Sequence, residues 1–442
     1  MRVDTSLTAE FAKILFTHTP TNKERTAARR GISDFLASLL PVSLGSLPDA
    51  GKQAVLDNFL TTASAENTAL KLGYLSHALD YDDYHAAFRG HPSTVILSSL
   101  FALSHALGRF TIQDFLDAYI VGVEVAGRLG RAIGTRHYSM GLHSTATLGP
   151  LAATAACCRW LALSLEQTQI ALGLAATQSS GLRAQFGSAT KPLHSGFAAR
   201  SAVNSVQLAM ANFPGQESGV LESFLSVFGY HAEQPQQLLA DWATPWRIIQ
   251  PGLEFKRYPT CGGTHSAAEA AFVLRQRCFE LGVSDFYTAI KRIEVSFPPG
   301  ADTAPNICHP VDGVQARFSL EYVIADALVN GSLALEHYTA MPVNSSLSSL
   351  AARVERCPDF SAPADELDPD RRFHRVTLFL DDGRKISHCV TRQETAATYT
   401  DVDKKLAVSL ALLPSAIAEQ FSATLTLDSD KQLQQLASLL CS

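Results

Sequence analysis

Residues 144–158 read STATLGPLAATAACC, and this run constrains the fold more than any other. Apart from Leu148, Pro150 and Leu151, every side chain from Ser144 to Ala156 is Gly, Ala, Ser or Thr. A helix with so little bulk lets neighbouring backbones approach closely, so it belongs at the centre of a helical bundle. Ile170–Thr177 has the same character. Helical spacing surrounds both: Phe11, Ile14, Leu15; then Ile32, Phe35, Leu36, Leu39; then Phe115, Ala118, Tyr119, Gly122, Val123, Ala126. Breakers are expected at Thr19–Asn22, Pro41, Gly108-Arg109, Gly130 and Pro214-Gly215.

The period changes after Lys256. Ile293, Val295 and Phe297 alternate, as do Val376, Leu378 and Leu380, and Asp381-Asp382-Gly383 then turns into Arg384–Val390 as a hairpin. Ser319–Val329 reads as a helix between them. After a Thr395–Thr400 loop, Asp401–Leu413 and Gln432–Leu440 are helical again. The expected fold is mainly α: a large all-helical domain over 1–262, a smaller α+β lid domain over 263–396, and C-terminal helices over 397–442 that return to the helical domain.

Charge and cysteine usage narrow the function. With 36 Lys and Arg against 42 Asp and Glu, the net charge is −6 and no basic excess exists to neutralise phosphates, which disfavours a nucleic-acid partner. A pocket needs only a few basic residues to take a small acid. No stretch of eighteen apolar residues suggests a membrane span, and Arg2, Asp4, Glu10 and Lys13 do not suit a signal peptide, so a cytoplasmic protein is expected. The eight cysteines form no CxxC pair and read as reduced thiols, not a disulfide framework or zinc site.

Asp80-Tyr81-Asp82-Asp83-Tyr84-His85, followed by Arg89-Gly90-His91-Pro92, is the densest polar cluster. Its carboxylates and histidines suit either a metal or acid–base chemistry, set against the plainer reading of a solvated loop. His143 precedes the small-residue helix, near its positive end. Lys191 stands in GSATKPLH, which lacks the glycine of a phosphate loop, and is an odd decoration for so neutral a stretch. Lys256 and Arg257 mark the domain boundary, where pockets form. Cys261 as a nucleophile lacks a base partner beyond its sequence neighbour His265.

Taken in order, LDYDD-x₆-GHPS, GLHSTATLG, TKPLHSGFAAR and KRYP resemble the MmgE/PrpD family, which includes 2-methylcitrate dehydratase, cis-aconitate decarboxylase and iminodisuccinate epimerase. The resemblance covers nearly the whole chain. It implies a helical domain with an α+β lid, a homodimer, and chemistry that needs no cofactor and no metal. It also implies catalytic roles for Asp80, His91, His143 and Tyr322, the last reaching in from the second domain. Lys191, Lys256, Tyr84 and Arg89 are expected to bind substrate. Tyr84 stands where the decarboxylase branch has Thr, and one extra residue separates Asp80 from His91; both point away from cis-aconitate decarboxylation.

The shared difficulty of these reactions is a carbanion next to a carboxylate, which pre-placed positive charge stabilises. The expectation is a cofactor-independent lyase or isomerase of a small polycarboxylic acid, foremost a 2-methylcitrate dehydratase-like hydro-lyase. Asp80 or His143 would be the base and His91 the acid, assisted by Tyr322. An epimerase of an iminodisuccinate-like acid, a cis-aconitate decarboxylase and a non-catalytic polycarboxylate binder are the alternatives.

Overall fold

The computed structural model describes residues 6–59, 64–397 and 401–441. Residues 1–5, which include Arg2 and Asp4, and residues 398–400 of the expected Thr395–Thr400 loop lie outside that range. The preceding part of that loop, Arg392–Ala397, is helical.

The small-residue helix is where its composition puts it. Gly149–Leu161 is buried along almost its whole length and contacts the helices Pro92–Leu107, Ile112–Ile133, Leu165–Thr177 and Thr190–Met210. It is shorter than its composition suggests. Ser144–Thr147 forms a separate turn, and Pro150, which has no N–H to give, sits in the first turn of the longer helix. Two other expected breakers do not break. Asn22–Ser43 runs through Pro41, and the Ala37 carbonyl that Pro41 cannot serve accepts the Ser409 hydroxyl at 2.7 Å. Gly130 lies inside Ile112–Ile133, where a Cβ would come within 2.0 Å of the Ala87 carbonyl oxygen. It is there for close approach and not for a turn.

Helices Ala65–His77 and Thr190–Met210 also cross backbone to backbone, since a Cβ on Gly73 would stand 2.9 Å from the Cα of Gly196. That crossing brings His77, at the end of one helix, beside Lys191, at the start of the other. Val402–Leu410 packs on Asn22–Ser43, and Asp430–Cys441 packs on Pro92–Leu107; Leu406, Leu433 and Leu436 join the same core.

A second core is built on one sheet. Strands β1 (Ile290–Phe297), β2 (Val354–Pro358), β3 (Phe373–Leu380) and β4 (Lys385–Thr391) lie in the order β2-β1-β3-β4. β1 is parallel to β2 and antiparallel to β3, with Ile293 opposite Leu378 and Val295 opposite Val376. The β3–β4 hairpin turns as expected, with Gly383 at a φ of +86°. Helices His265–Glu280 and Leu320–Asn330 cover the sheet; the first of these and β2 were not anticipated. Cores separated in this way support domain limits near residues 262 and 396, which we propose on that basis. Among the described residues no helix is long and apolar enough to cross a membrane, and all eight cysteines are free.

Candidate active site

The segment from His77 to His91 leaves one helix and starts the next, and it is held by unusual local contacts. Asp80 has a φ of +50°, a conformation that Asp tolerates better than most side chains. Gly90 lets the segment lie against the turn at Ser144, where a Cβ would be 2.8 Å from Thr145 Oγ1. That hydroxyl accepts the His91 N–H at 3.1 Å. Lys405, from helix Val402–Leu410, fixes the other side: its ammonium donates to Asp34 Oδ1 (2.6 Å), the Tyr81 carbonyl (2.6 Å) and the Lys256 carbonyl (3.2 Å).

At the centre stands Asp80, whose Oδ1 accepts from Lys191 Nζ at 2.9 Å and from Lys256 Nζ at 2.7 Å. Lys256 also donates to the Asp80 carbonyl at 2.8 Å. Burial alone would raise the Asp80 carboxyl, but the two ammonium groups prevail and hold it well below its ordinary range. Lys191 donates as well to His77 Nε2 at 2.7 Å, so His77 carries its proton on Nδ1 and donates from there to Asp82 at 2.8 Å. His91 donates from Nδ1 to the Asp83 carbonyl at 2.7 Å, which leaves the Nε2 lone pair free in the neutral ring. Burial pushes His91, His77 and His143 well below the usual histidine range, so all three are neutral at pH 7. His143 Nδ1 is 3.2 Å from His194 Nδ1, a pair that shares one proton, and burial takes His194 down to about 4.

These side chains face a cavity of about 330 Å³ between the two cores, a size suited to a small molecule. Asp80, Tyr84, Arg89, His91, His143, Lys191 and Lys256 all line it. Eight of its lining residues are Lys or Arg and four are Asp or Glu, a positive site in a chain of net charge −6. The structure thus brings seven of the eight expected residues to one cavity.

Tyr322 is the exception and is corrected here. It does not line the cavity; it is buried in the second core, with its hydroxyl accepting the Asn344 N–H at 3.2 Å. Phe318, two residues before the helix that carries Tyr322, lines the cavity instead, with Lys191 Nζ 5.7 Å from its ring centroid. Cys261 lines the cavity too, but burial raises its thiol, which makes it a poor nucleophile.

Several residues of the site escaped the sequence reading. His77 was within reach of it, three residues before Asp80, and Asp82 stands in the acidic cluster but was given no role. His194 likewise follows Lys191 inside TKPLH. Arg372, Arg392 and Lys405 carry no local signal, since only the tertiary fold brings them near.

His77, Asp80, Asp82 and His91 also offer donor atoms within 4.8 Å of one another, two imidazoles and two carboxylates that could ligate a divalent cation. The charges around them do not fit one. Asp80 Oδ1 already takes two ammonium groups, and a metal there would stand beside both. The cluster is better suited to holding and moving protons.

Comparison with known proteins gives the family. Residues 44–235 match the MmgE/PrpD N-terminal domain and residues 258–410 the MmgE/PrpD C-terminal domain. A human protein named cis-aconitate decarboxylase is 31% identical over 64% of this chain and 59% of its own length. Its mouse namesake is 30% identical over 70% of this chain and 64% of its own length, and one from Aspergillus terreus is 29% identical over 71% and 68%. The chain therefore spans less than two thirds of the human and mouse relatives it matches. With both halves matched, and the residues of four ordered motifs meeting in one cavity, the chain belongs to the MmgE/PrpD family.

Proposed function

We propose that the protein is a cofactor-independent lyase that works on carbon next to a carboxylate of a small polycarboxylic acid, eliminating water from a 2-methylcitrate-like hydroxy acid. The observation that carries this reading is the neutral His91, with Nε2 free, beside an Asp80 clamped by two lysines in a positively charged cavity. The arginines and lysines receive the substrate's carboxylates. His91 Nε2 takes the α-proton, and the electron pair moves into the adjacent carboxylate as an enediolate, next to Lys191 and Lys256. The pair then returns to form the double bond as the β-hydroxyl leaves.

The leaving hydroxyl needs a proton. Tyr84 stands edge-on to His91 with ring centroids 6.0 Å apart, and burial raises its phenol, so it remains a donor at pH 7. A base and an acid side by side suit elimination, in which one atom loses a proton while its neighbour loses hydroxide. Asp80 is a weaker candidate for the base than the sequence alone suggested. Held down by two ammonium groups, its carboxylate has little affinity for a proton.

The names of the relatives favour a second reading, decarboxylation of cis-aconitate. There the bond to a carboxyl carbon breaks, carbon dioxide leaves, and the resulting carbanion takes a proton from the same acid group. Proton NMR in D₂O with EDTA-dialysed protein tests the proposal against 2-methylcitrate, citrate, cis-aconitate and iminodisuccinate in turn. An olefinic product from 2-methylcitrate or citrate supports dehydration. Itaconate from cis-aconitate replaces it with decarboxylation, and deuterium uptake at a stereocentre with the skeleton intact replaces it with epimerisation. Silence with all four overturns the enzyme reading for these acids.

A further inference from the structure

A second cavity, of about 590 Å³, adjoins the first, and Tyr84, Arg89, Pro369, Arg372 and Arg392 line both. Its charged lining is Arg89, Arg131, Arg372 and Arg392 against the single carboxylate of Asp370. The rest is chiefly small or uncharged, and Gly130 and Gly134 let the backbones of Ala87 and Ala232 close in around it.

The arginines divide into two kinds. Arg372 is paired with Asp365 at 2.5 Å, and Arg392 with Glu254 at 2.7 Å and Asp370 at 3.1 Å. These pairs build the partition between the cavities. Arg89 donates to the Thr135 carbonyl at 3.5 Å, and Arg131 is exposed; neither is ion-paired among the described residues. Two cations without carboxylate partners therefore face a chamber whose inner wall is also the wall of the catalytic cavity.

We infer that this second cavity is an anion-binding antechamber, through which a polycarboxylate reaches the catalytic cavity past the Tyr84–Arg372–Arg392 partition. The inference rests on the polycarboxylate reading above. The partition itself is balanced by its ion pairs, with Asp365, Glu254 and Asp370 on Arg372 and Arg392, so the attraction for an anion comes from Arg89 and Arg131 on the outer side and from Lys191 and Lys256 on the inner one. Arginine suits the purpose, because a planar guanidinium can take a carboxylate on two N–H groups and release it to the next.

Arg131 tests the inference cleanly, because it lines the outer cavity and not the catalytic one. The probe is tricarballylate, a saturated tricarboxylate with no hydroxyl to eliminate, followed by NMR line-shape titration to give association and dissociation rates. In Arg131→Glu the association rate should fall about 5–10-fold at ~20 mM salt and recover to within about 2-fold at ~300 mM, with dissociation unchanged. Arg131→Gln should show a smaller loss of the same kind. An unchanged association rate at low salt overturns the antechamber, as does a loss that persists at high salt or appears in dissociation instead. Failure of the native protein to bind tricarballylate is a different result: it overturns the polycarboxylate reading and removes the antechamber's ligand with it.

Discussion

Replacing Lys405 by Met tests whether helix Val402–Leu410 is part of the site's architecture. Met keeps the unbranched stem and its place in the core but removes the ammonium. The loss is concentrated: a 2.6 Å ion pair with Asp34, a 2.6 Å bond to the Tyr81 carbonyl, a 3.2 Å bond to the Lys256 carbonyl, and a contact 3.7 Å over the Tyr81 ring. All of it is buried, and breaking a buried pair by removing one partner costs about 3–5 kcal/mol. The cost depends on pH in a definite direction. Burial already raises Asp34 to about 6 with Lys405 present, and without it the carboxyl rises further. A buried acid with a raised pKa weakens the fold as pH climbs from its unfolded value through its folded one, because the unfolded chain then binds fewer protons. The variant's deficit in urea unfolding should therefore be about 3 kcal/mol or more near pH ~7.5 and shrink near pH ~5.5, where Asp34 is largely protonated in both proteins. Asp34→Asn combined with Lys405→Met should show no such pH dependence. Turnover should fall as well, since of the carbonyls that Lys405 holds one belongs to Tyr81, next to Asp80, and the other to Lys256, and a displacement of about 1 Å near the chemistry costs on the order of 100-fold. A deficit below about 1 kcal/mol, or one equal at both pH values, refutes the reasoning.

Gly130→Ala forces a Cβ to within 2.0 Å of the Ala87 carbonyl oxygen and 2.6 Å of the Phe88 Cα, which are backbone atoms that cannot swing aside. It should destabilise by about 1–3 kcal/mol in thermal unfolding and lower turnover by shifting the loop that carries Tyr84 and His91. Asp80→Asn removes the anion shared by Lys191 and Lys256, and steady-state turnover should fall at least about 100-fold. The depressed native carboxyl contributes stability above its unfolded value of 3.8 and loses it as pH falls below that, so native unfolding curves should be steeper in acid than those of Asp80→Asn. Tyr84→Phe keeps the ring and removes the hydroxyl; dehydration should drop about 10²–10⁴-fold while exchange of the α-proton with solvent persists.

What the sequence disclosed depended on whether the signal was local. A run of Ala, Ser and Gly can only be buried among other helices, so the centre of the bundle was legible at Gly149–Leu161. Asp-Gly with alternating Val376, Leu378 and Leu380 made the β3–β4 hairpin legible for the same reason. Pro41 and Gly130 were misread because each carries two meanings. Proline breaks a helix unless another group serves the freed carbonyl, and Ser409, far along the chain, does so here. Glycine ends a helix or admits a neighbour, and the neighbour at Gly130 is a loop some forty residues earlier. β2 was missed because Val354–Pro358 is short, carries two adjacent charges at Glu355 and Arg356 that break the alternation, and pairs only on one side. In the site, the local polar clusters drew attention to Asp80, His91, His143 and both lysines, and the family resemblance gave them their roles. It failed at Tyr322, where position within a helix decides which side chain meets the cavity: helix Leu320–Asn330 turns Tyr322 into the second core, and Phe318 just before it meets the cavity instead.

The pairing of one carboxylate with two lysines explains how such a site can be buried and yet stay charged. Burial works against the Lys191 ammonium and lowers its affinity for a proton, and Lys256 beside it adds repulsion. Asp80, between them, is what restores the balance, and its own depressed carboxyl records the other side of the same interaction. One anion and two cations leave a net positive charge fixed in place before any substrate arrives. A substrate carboxylate that accepts electrons from its α-carbon gains negative charge where that excess already stands, so little reorganisation is needed at the moment of reaction. Had the site held the lysines alone, burial and Lys256 would have lowered the proton affinity of Lys191 with no carboxylate to oppose them. Had it held a second nearby carboxylate on the same ammonium groups, the excess would have vanished. Asp82, two residues along, accepts its hydrogen bond from His77 Nδ1 at 2.8 Å and not from either ammonium, so it supports Lys191 only through space.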